Sequence, residues 1–165
     1  MAQLASNSDF FQLLNMYDVD DLQDLLENIG VKINRCPDGR VHFEVNLFDT
    51  SYKPHPIRYQ ARGLVVDSIE KKFLSLPPFP AKYIDMSKLD NVRKVFDDKQ
   101  YNVIKAYDGT NVTIYQFNGE TYASSAKSPD ISNYYWQGNK TFSQMIFEVA
   151  TKTNPEFVKD SGLRL

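Results

Sequence analysis

The sequence predicts an α+β fold that combines antiparallel sheets with a few helices. Short apolar segments alternate with turn residues such as Asp-Gly and Asn-Gly, which is typical of hairpins, and leucines and other apolar residues recur at helical spacing in two further segments. With 165 residues, 42% of them hydrophobic, the chain is long enough to form one domain with a core.

The first elements are a short helix and a hairpin. The helix is expected within Asp18–Asn28, where acidic residues cluster at the start and Gly30 follows as a C-terminal cap. Strands are then expected at Val31–Asn34 and Val41–Phe48. The turn Pro37–Arg40 joins them, because its proline fixes one backbone angle and its glycine tolerates positive φ.

A second hairpin follows an irregular segment at Thr50–Ile57, which contains two prolines. The apolar run Gly63–Asp67 is expected as a buried strand that turns through Ser68–Lys72 into Phe73–Leu76. The proline cluster Pro77–Pro80 ends that strand and leads as an irregular connector into residues 81–85.

The second half of the chain predicts an antiparallel meander over Asn102–Tyr122, with turns at Asp108-Gly109 and Asn118-Gly119. An amphipathic helix over Thr141–Lys152 is expected to pack on the sheet.

The composition limits the class of protein. A formal net charge of −2 means that any nucleic-acid surface must be a local basic patch. The single Cys36 excludes an internal disulfide, and no Cys/His cluster has zinc-ligand spacing, which favours the cytosol and no structural metal. No segment has the pattern of a signal peptide or a membrane span.

Residues Tyr101–Tyr115 contain a sequence similar to the Lys-x-Asp-Gly motif of ATP-dependent ligases. Counting back from Asp108 and Gly109 puts the nucleophilic lysine at position 106, where the chain has Ala106, and Lys105 stands one place earlier. On spacing alone, a plain hairpin is favoured over a nucleotide site.

The chemistry of such a motif requires a neutral lysine amine that attacks the α-phosphorus of ATP. A lysine has an ordinary pKa near 10.4, so the site must lower that pKa through nearby cations and partial desolvation. Mg²⁺ and basic side chains offset charge on the phosphate oxygens and help pyrophosphate to leave.

Upstream segments strengthen the nucleotide interpretation. Three segments follow one another along the chain: Tyr59–Asp67, Leu76–Asp85 and the Asp-Gly motif. This order resembles the adenylyltransferase domain of phage-type ATP-dependent RNA ligases, the RNA ligase 1 family that reseals broken tRNA. The resemblance implies an antiparallel-sheet nucleotidyltransferase fold and makes Arg62 and Lys82 phosphate-binding residues. Tyr83–Asp85 departs from the family's aromatic, aromatic, asparagine pattern.

Further downstream, Ser124–Ser128 resembles the next family element and makes Lys127 a third phosphate-binding candidate. The resemblance implies ATP and Mg²⁺ as cofactors and RNA with a 5′-phosphate and a 3′-hydroxyl as partner. The expected steps are lysine adenylylation, transfer of AMP to the 5′-phosphate, and sealing by the 3′-hydroxyl. Asp108 and Gly109 would shape the nucleotide site, with Ile104 and Lys105 beside them.

Ala106 has three interpretations. The favoured one is a nucleophilic lysine replaced by alanine to disable the enzyme. In the second, Lys105 attacks from a bulged strand, because its side chain otherwise points to the opposite face from position 106. The third is a relative that lacks catalysis and binds nucleotide or RNA.

The resemblance ends before the family's acidic strand, Glu-Gly strand and Lys-x-Lys segment, so residues 1–165 are expected to be the N-terminal portion of the adenylation domain of a longer ligase. Phe147–Val149 is assigned to the last helix and not to the acidic strand. DNA ligases and capping guanylyltransferases, which share Lys-x-Asp-Gly alone, are the alternative enzymes. The expected location is the cytoplasm, that of the host for a viral protein.

The remaining candidates are histidines and aromatic residues. His42 is expected to face solvent or a neighbouring side chain, and His55 is expected in a loop between two prolines. Neither has partners for a triad or a metal site. The aromatic residues Tyr134, Tyr135 and Trp136 are expected to anchor a loop, with stacking on RNA bases as the functional alternative.

Overall fold

The computed structural model of the chain describes residues 10–78, 80, 87, 109–135 and 138–156. The chain divides into two compact units, Met1–Phe79 with Asn111–Leu165 and Pro80–Thr110. The elements described below all belong to the first unit.

The described residues combine helices with antiparallel strands, which confirms the predicted mixture. In chain order the elements are α1 (Phe10–Met16), α2 (Gln23–Asn28), β1 (Val31–Arg35), β2 (Arg40–Val45), α3 (Pro56–Ala61), β3 (Val65–Asp67), β4 (Lys72–Ser75), β5 (Thr113–Phe117), β6 (Glu120–Ser124) and α4 (Phe142–Thr153). Strands β1-β2-β3-β4 form one sheet in that order, and β5 pairs with β6.

The predicted hairpins are present where their turn residues are described. Gly39 has φ +94° in the four-residue loop between β1 and β2. Asn118 and Gly119 have φ +50° and +78° in the β5–β6 turn, as a two-residue hairpin loop requires. Strand β2 ends three residues before the predicted end, because the N–H of Asp49 donates to the carbonyl of Asn46 and turns the chain. The first strand of the predicted meander lies outside the described residues.

The helices differ most from the prediction. Helix α1 was not expected, and α3 occupies the end of the segment expected to be irregular. His55 caps α3, since its Nδ1 accepts the N–H of Ile57 at 3.2 Å, and Pro56 stands in the first turn, where a missing N–H does no harm. Helix α2 begins at Gln23, later than predicted, after turns over residues 18–22.

The four-stranded sheet has two different faces because side chains alternate along each strand. One face carries Val41, Phe43 and Val45 of β2, which pack with apolar residues of α1, α2 and α3 in the main core. The ring of Phe43 meets Phe10 edge to face at 5.2 Å between centroids. The other face carries Arg40 and His42, which contact β5 and the segment that follows β6.

Helix α4 is present with almost the predicted bounds. Thr141 and Gln144 form a capping box at its start, which explains why the helix begins there. Its apolar side is only half-buried at Phe142, Met145, Ile146 and Phe147, and Val149 is 60% exposed. Among the described residues the helix therefore has no fully buried side chain of the kind expected from close packing on the sheet. Phe147–Val149 is helical, as predicted.

Candidate functional site

Gly63 brings two distant segments of the chain into contact. It follows α3 with φ +77°, and its N–H donates to the carbonyl of Phe43 at 2.8 Å. A Cβ placed on Gly63 would lie 2.9 Å from the Cα of Ala126 and 3.1 Å from Cγ of Pro77. Only glycine therefore allows the chain after α3 to approach the segment after β6 this closely.

The segment after β6 is a short loop, Ser125–Ser128, that folds back on itself. The N–H of Ser125 donates to the carbonyl of Ser128 at 3.0 Å, and the N–H of Lys127 donates to Oγ of Ser125 at 3.2 Å. The side chain of Lys127 is exposed at the tip of this loop.

Arg62 and Lys127 flank the contact between Gly63 and Ala126, one residue away on each segment. Arg62 is half-buried, and within the described part of the chain neither cationic side chain has a hydrogen bond or an ion pair. A partly buried guanidinium without an internal partner has its donors available to solvent or to an anion. Arg62 and Lys127, each next to a small residue, could therefore donate charge-assisted hydrogen bonds to phosphate oxygens.

His42 lies on the sheet face beneath the Ser125–Ser128 loop. His42 is fully buried, so the expectation that it faces solvent is wrong. It contacts the side chain of Asn34, which agrees with the alternative expectation of a neighbouring side chain. Its Nε2 is 3.3 Å from the carbonyl oxygen of Ser125, and its Nδ1 is 3.3 Å from Nδ2 of Asn34. Burial lowers the pKa of His42, so the imidazole is neutral at pH 7.

Arg40 and Tyr115 join the two sheets next to this site. The guanidinium of Arg40 donates to the hydroxyl of Tyr115 at 2.7 Å, pairs with Asp38 at 2.7 Å, and lies 3.7 Å from the ring centroid of Tyr122. The Tyr115 hydroxyl in turn donates to the carbonyl of Pro129 at 2.7 Å. Burial raises the pKa of Tyr115 to about 12 despite the nearby Arg40, so the phenol stays protonated.

The sequence did not reveal this cluster, because Arg40 and Tyr115 are 75 residues apart and Arg40 had been assigned only to a turn. The one signal in the sequence is a charged residue, Arg40, directly before the predicted strand Val41–Phe48. The cluster's hydrogen bonds from Arg40 to Tyr115 and from Tyr115 to Pro129 hold β5 and the segment after β6 against β2.

Most of the predicted motif residues lie outside the described residues: Lys82, Ile104, Lys105, Ala106 and Asp108. Gly109 is described and exposed, with open space around its Cα and a φ outside the left-handed region. Of the predicted phosphate-binding residues, Arg62 and Lys127 are described, and each is the chain neighbour of a residue in the contact between Gly63 and Ala126.

The aromatic residues after the loop are not an anchor. Tyr134 and Tyr135 are 58% and 64% exposed, whereas the sequence predicted that they would hold a loop to the core. Trp136 lies outside the described residues.

Among the described residues no group of three or more His, Cys, Asp or Glu side chains could hold a metal ion. Cys36 is half-buried, and burial raises the pKa of its thiol. None of the helices in the described ranges has the length and apolar character of a membrane span.

The chain is similar to proteins of African swine fever virus that carry the name "Putative RNA-ligase". It is 33% identical over 92 residues to the protein of a Kenyan pig isolate and 30% identical over 92 residues to that of a Malawian tick isolate. The aligned part covers 53% of this chain, and the chain spans about a fifth of the length of these curated relatives. No family model and no solved structure matches the chain.

Proposed function

We propose that this chain is part of an ATP-dependent RNA ligase and that Arg62 and Lys127 form one side of its triphosphate site. The observation that carries the proposal is the contact between Gly63 and Ala126, which brings together two motif segments whose contacting residues are 63 positions apart in the sequence. Each segment supplies a cation without a hydrogen-bond or ion-pair partner in the described part of the chain.

Two independent lines support the proposal. The first is the order of four segments along the chain, which are Arg62-Gly63, Pro78–Lys82, Asp108-Gly109 and Ser124–Ser128. The second is the similarity over about half of the chain to viral proteins that carry the name "Putative RNA-ligase". The phage-type assignment, the RNA ends and tRNA repair rest on the first line alone.

The proposed reaction requires a lysine in place of Ala106. The amine of that lysine loses its proton and attacks the α-phosphorus of ATP. A nitrogen–phosphorus bond forms, the bond from the α-phosphorus to the bridging oxygen breaks, and pyrophosphate leaves. AMP then moves to an RNA 5′-phosphate, and a 3′-hydroxyl displaces AMP as the strand is sealed. Arg62 and Lys127 would offset the charge on the phosphate oxygens during the first step, and Lys82 is proposed to join them.

Mg²⁺ would supply further positive charge for the triphosphate. Since the described residues contain no cluster of metal ligands, no residue among them is assigned to it.

Calorimetric titration with ATP tests the binding part of this proposal. Arg62→Ala and Lys127→Ala should each weaken binding about tenfold, because each removes a charge-assisted contact to phosphate. Lys152→Ala, which removes an exposed lysine from the last turn of α4, is the matched control and should leave binding unchanged. The proposal would be contradicted if Arg62→Ala and Lys127→Ala left the ATP affinity unchanged, or if the unaltered chain did not bind ATP.

A second candidate function follows from Ala106 itself, since an alanine cannot form the lysine–AMP bond. In that alternative the chain binds nucleotide or RNA without catalysis. It predicts the same ATP titration but no covalent adduct in any variant, including Ala106→Lys and forms that retain Lys105.

A further inference from the structure

We infer that His42 is a positioning residue, whose imidazole N–H fixes the Ser125–Ser128 loop and thereby sets the place of Lys127. The role of Lys127 in phosphate binding rests on the proposed function. The placement of the loop by His42 stands on geometry alone.

The hydrogen bonds around His42 determine which nitrogen carries the proton. The amide Nδ2 of Asn34 faces Nδ1 of His42 at 3.3 Å and Oε2 of Glu44 at 3.3 Å, and Lys32 Nζ lies 3.4 Å from the same Glu44 oxygen. Because an amide nitrogen only donates, Nδ1 must accept. The proton is therefore on Nε2, which donates to the carbonyl of Ser125 at 3.3 Å.

Glu44 keeps Asn34 in this orientation. A flipped amide would place its oxygen against the Glu44 carboxylate and lose both hydrogen bonds from Nδ2. Glu44 and Lys32 are the charged groups whose fields act on His42, one on β2 and one on β1. The contacts from Lys32 through Glu44 and Asn34 thus orient the imidazole of His42, so that its Nε2–H points at the loop.

The Ser125 carbonyl is the point at which the loop is held. It lies 3.4 Å from the position of a Cβ on Gly63, and within the described ranges His42 supplies its hydrogen bond. The other hydrogen bonds of Ser125 and Lys127 are internal to the loop and cannot fix its position on the sheet. Side chains also hold the chain on either side of the loop, where Oγ of Ser75 lies 2.8 Å from Oγ of Ser124 and the Tyr115 hydroxyl donates to the carbonyl of Pro129. His42 is the side-chain link that reaches the backbone of Ser125 within the loop.

Two amide substitutions separate this role from simple packing. In His42→Gln the side-chain nitrogen reaches the place of Nε2 and still donates to Ser125, whereas in His42→Asn it reaches only the place of Nδ1. The two variants have the same chemistry and differ by one methylene. His42→Leu removes the donor and keeps a buried side chain of similar size.

Amide hydrogen exchange measured by NMR tests the inference on the unaltered chain and these variants. We expect exchange at Ser125 and Lys127 to become about tenfold faster in His42→Asn and His42→Leu, as the loss of one hydrogen bond implies, and to stay within about twofold in His42→Gln. Exchange at Tyr122 in β6 should not change. Equal protection in all variants, or equal loss across β6, would overturn the inference, as would an imidazole protonated on Nδ1 in the ¹⁵N spectrum.

Binding of inorganic tripolyphosphate then tests the link to Lys127. His42→Leu should weaken binding several-fold in the unaltered background and have no effect in Lys127→Ala, because residues that act through one another are not additive. Additive effects would overturn the inference. If the unaltered chain binds no tripolyphosphate, the proposed function fails while the exchange experiment still decides the role of His42.

Discussion

Gly63 is the single residue on which the candidate phosphate site depends most directly. Gly63→Ala adds a methyl group that meets Ala126 and requires a left-handed backbone, so we expect a loss of about 2–4 kcal/mol in the free energy of unfolding. Gly119→Ala is the matched control, with φ +78° and open space, and should lose about 1–2 kcal/mol from backbone strain alone. Urea unfolding measures both, and equal losses would show that the contact with Ala126 is loose.

His42 predicts a pH dependence of stability. Burial lowers its pKa below the ordinary value near 6.5. At pH values below about 6.5, the unfolded chain therefore binds a proton at this residue more readily than the folded chain does. The stability contributed by neutral His42 is present above about pH 6.5 and falls as the pH drops toward the lowered pKa, with a slope approaching about 1.4 kcal/mol per pH unit.

Urea unfolding at pH 7.5 and pH 5.5 measures this effect. The unaltered chain should lose more stability over this range than His42→Gln, which has no group to titrate at this position. The same loss in both chains would mean that His42 is protonated as readily in the fold as in the unfolded state.

At the scale of elements, the Arg40–Tyr115 hydrogen bond joins β2 to β5. Tyr115→Phe leaves one donor of the buried guanidinium without its partner, so we expect the free energy of unfolding to fall by about 1–3 kcal/mol. Tyr122→Phe keeps the ring that lies under Arg40 and should change stability by less than about 0.5 kcal/mol. Similar losses in both variants, measured by thermal or urea unfolding, would contradict a specific role for the hydroxyl.

Tyr115 also predicts how stability changes at alkaline pH. Its pKa is raised to about 12, so the folded chain keeps a proton that the unfolded chain releases near pH 10. The corresponding stability is present below about pH 10 and is lost as the pH rises toward about 12. Tyr115→Phe should therefore lose less stability than the unaltered chain between pH 9 and pH 11. Equal losses would show that the pKa of Tyr115 is the same in the folded and the unfolded chain.

Elements were predictable from the sequence where a local signal determined them. The turns at Gly39 and Gly119 require positive φ, which glycine adopts freely, so both hairpins could be predicted. Helix α3 was missed because its prolines suggested a loop, although Pro56 in the first turn and the His55 cap are compatible with a helix. Helix α4 was found from its periodicity, but periodicity could not tell that its apolar side would remain accessible.

At the scale of the whole molecule, the candidate site joins segments that are far apart in the sequence. The order of motifs indicates Arg62 and Lys127 separately, and the contact between their two segments depends on Gly63 packing against Ala126. The link from His42 to Ser125 spans 83 residues and had no pattern in the sequence. Such long-range contacts are set by how the sheets pack, which single-sequence periodicity does not contain.

The central claim is that this fold forms a lysine–AMP intermediate when position 106 is lysine. The most direct test is intact mass spectrometry after incubation with ATP and Mg²⁺, on this chain, on Ala106→Lys, and on any longer reading frame that carries them. We predict a mass gain of one adenylyl group, which is AMP less the elements of water, in Ala106→Lys and none in the unaltered chain. Absence of the adduct from every form, including those that retain Lys105, would contradict the claim.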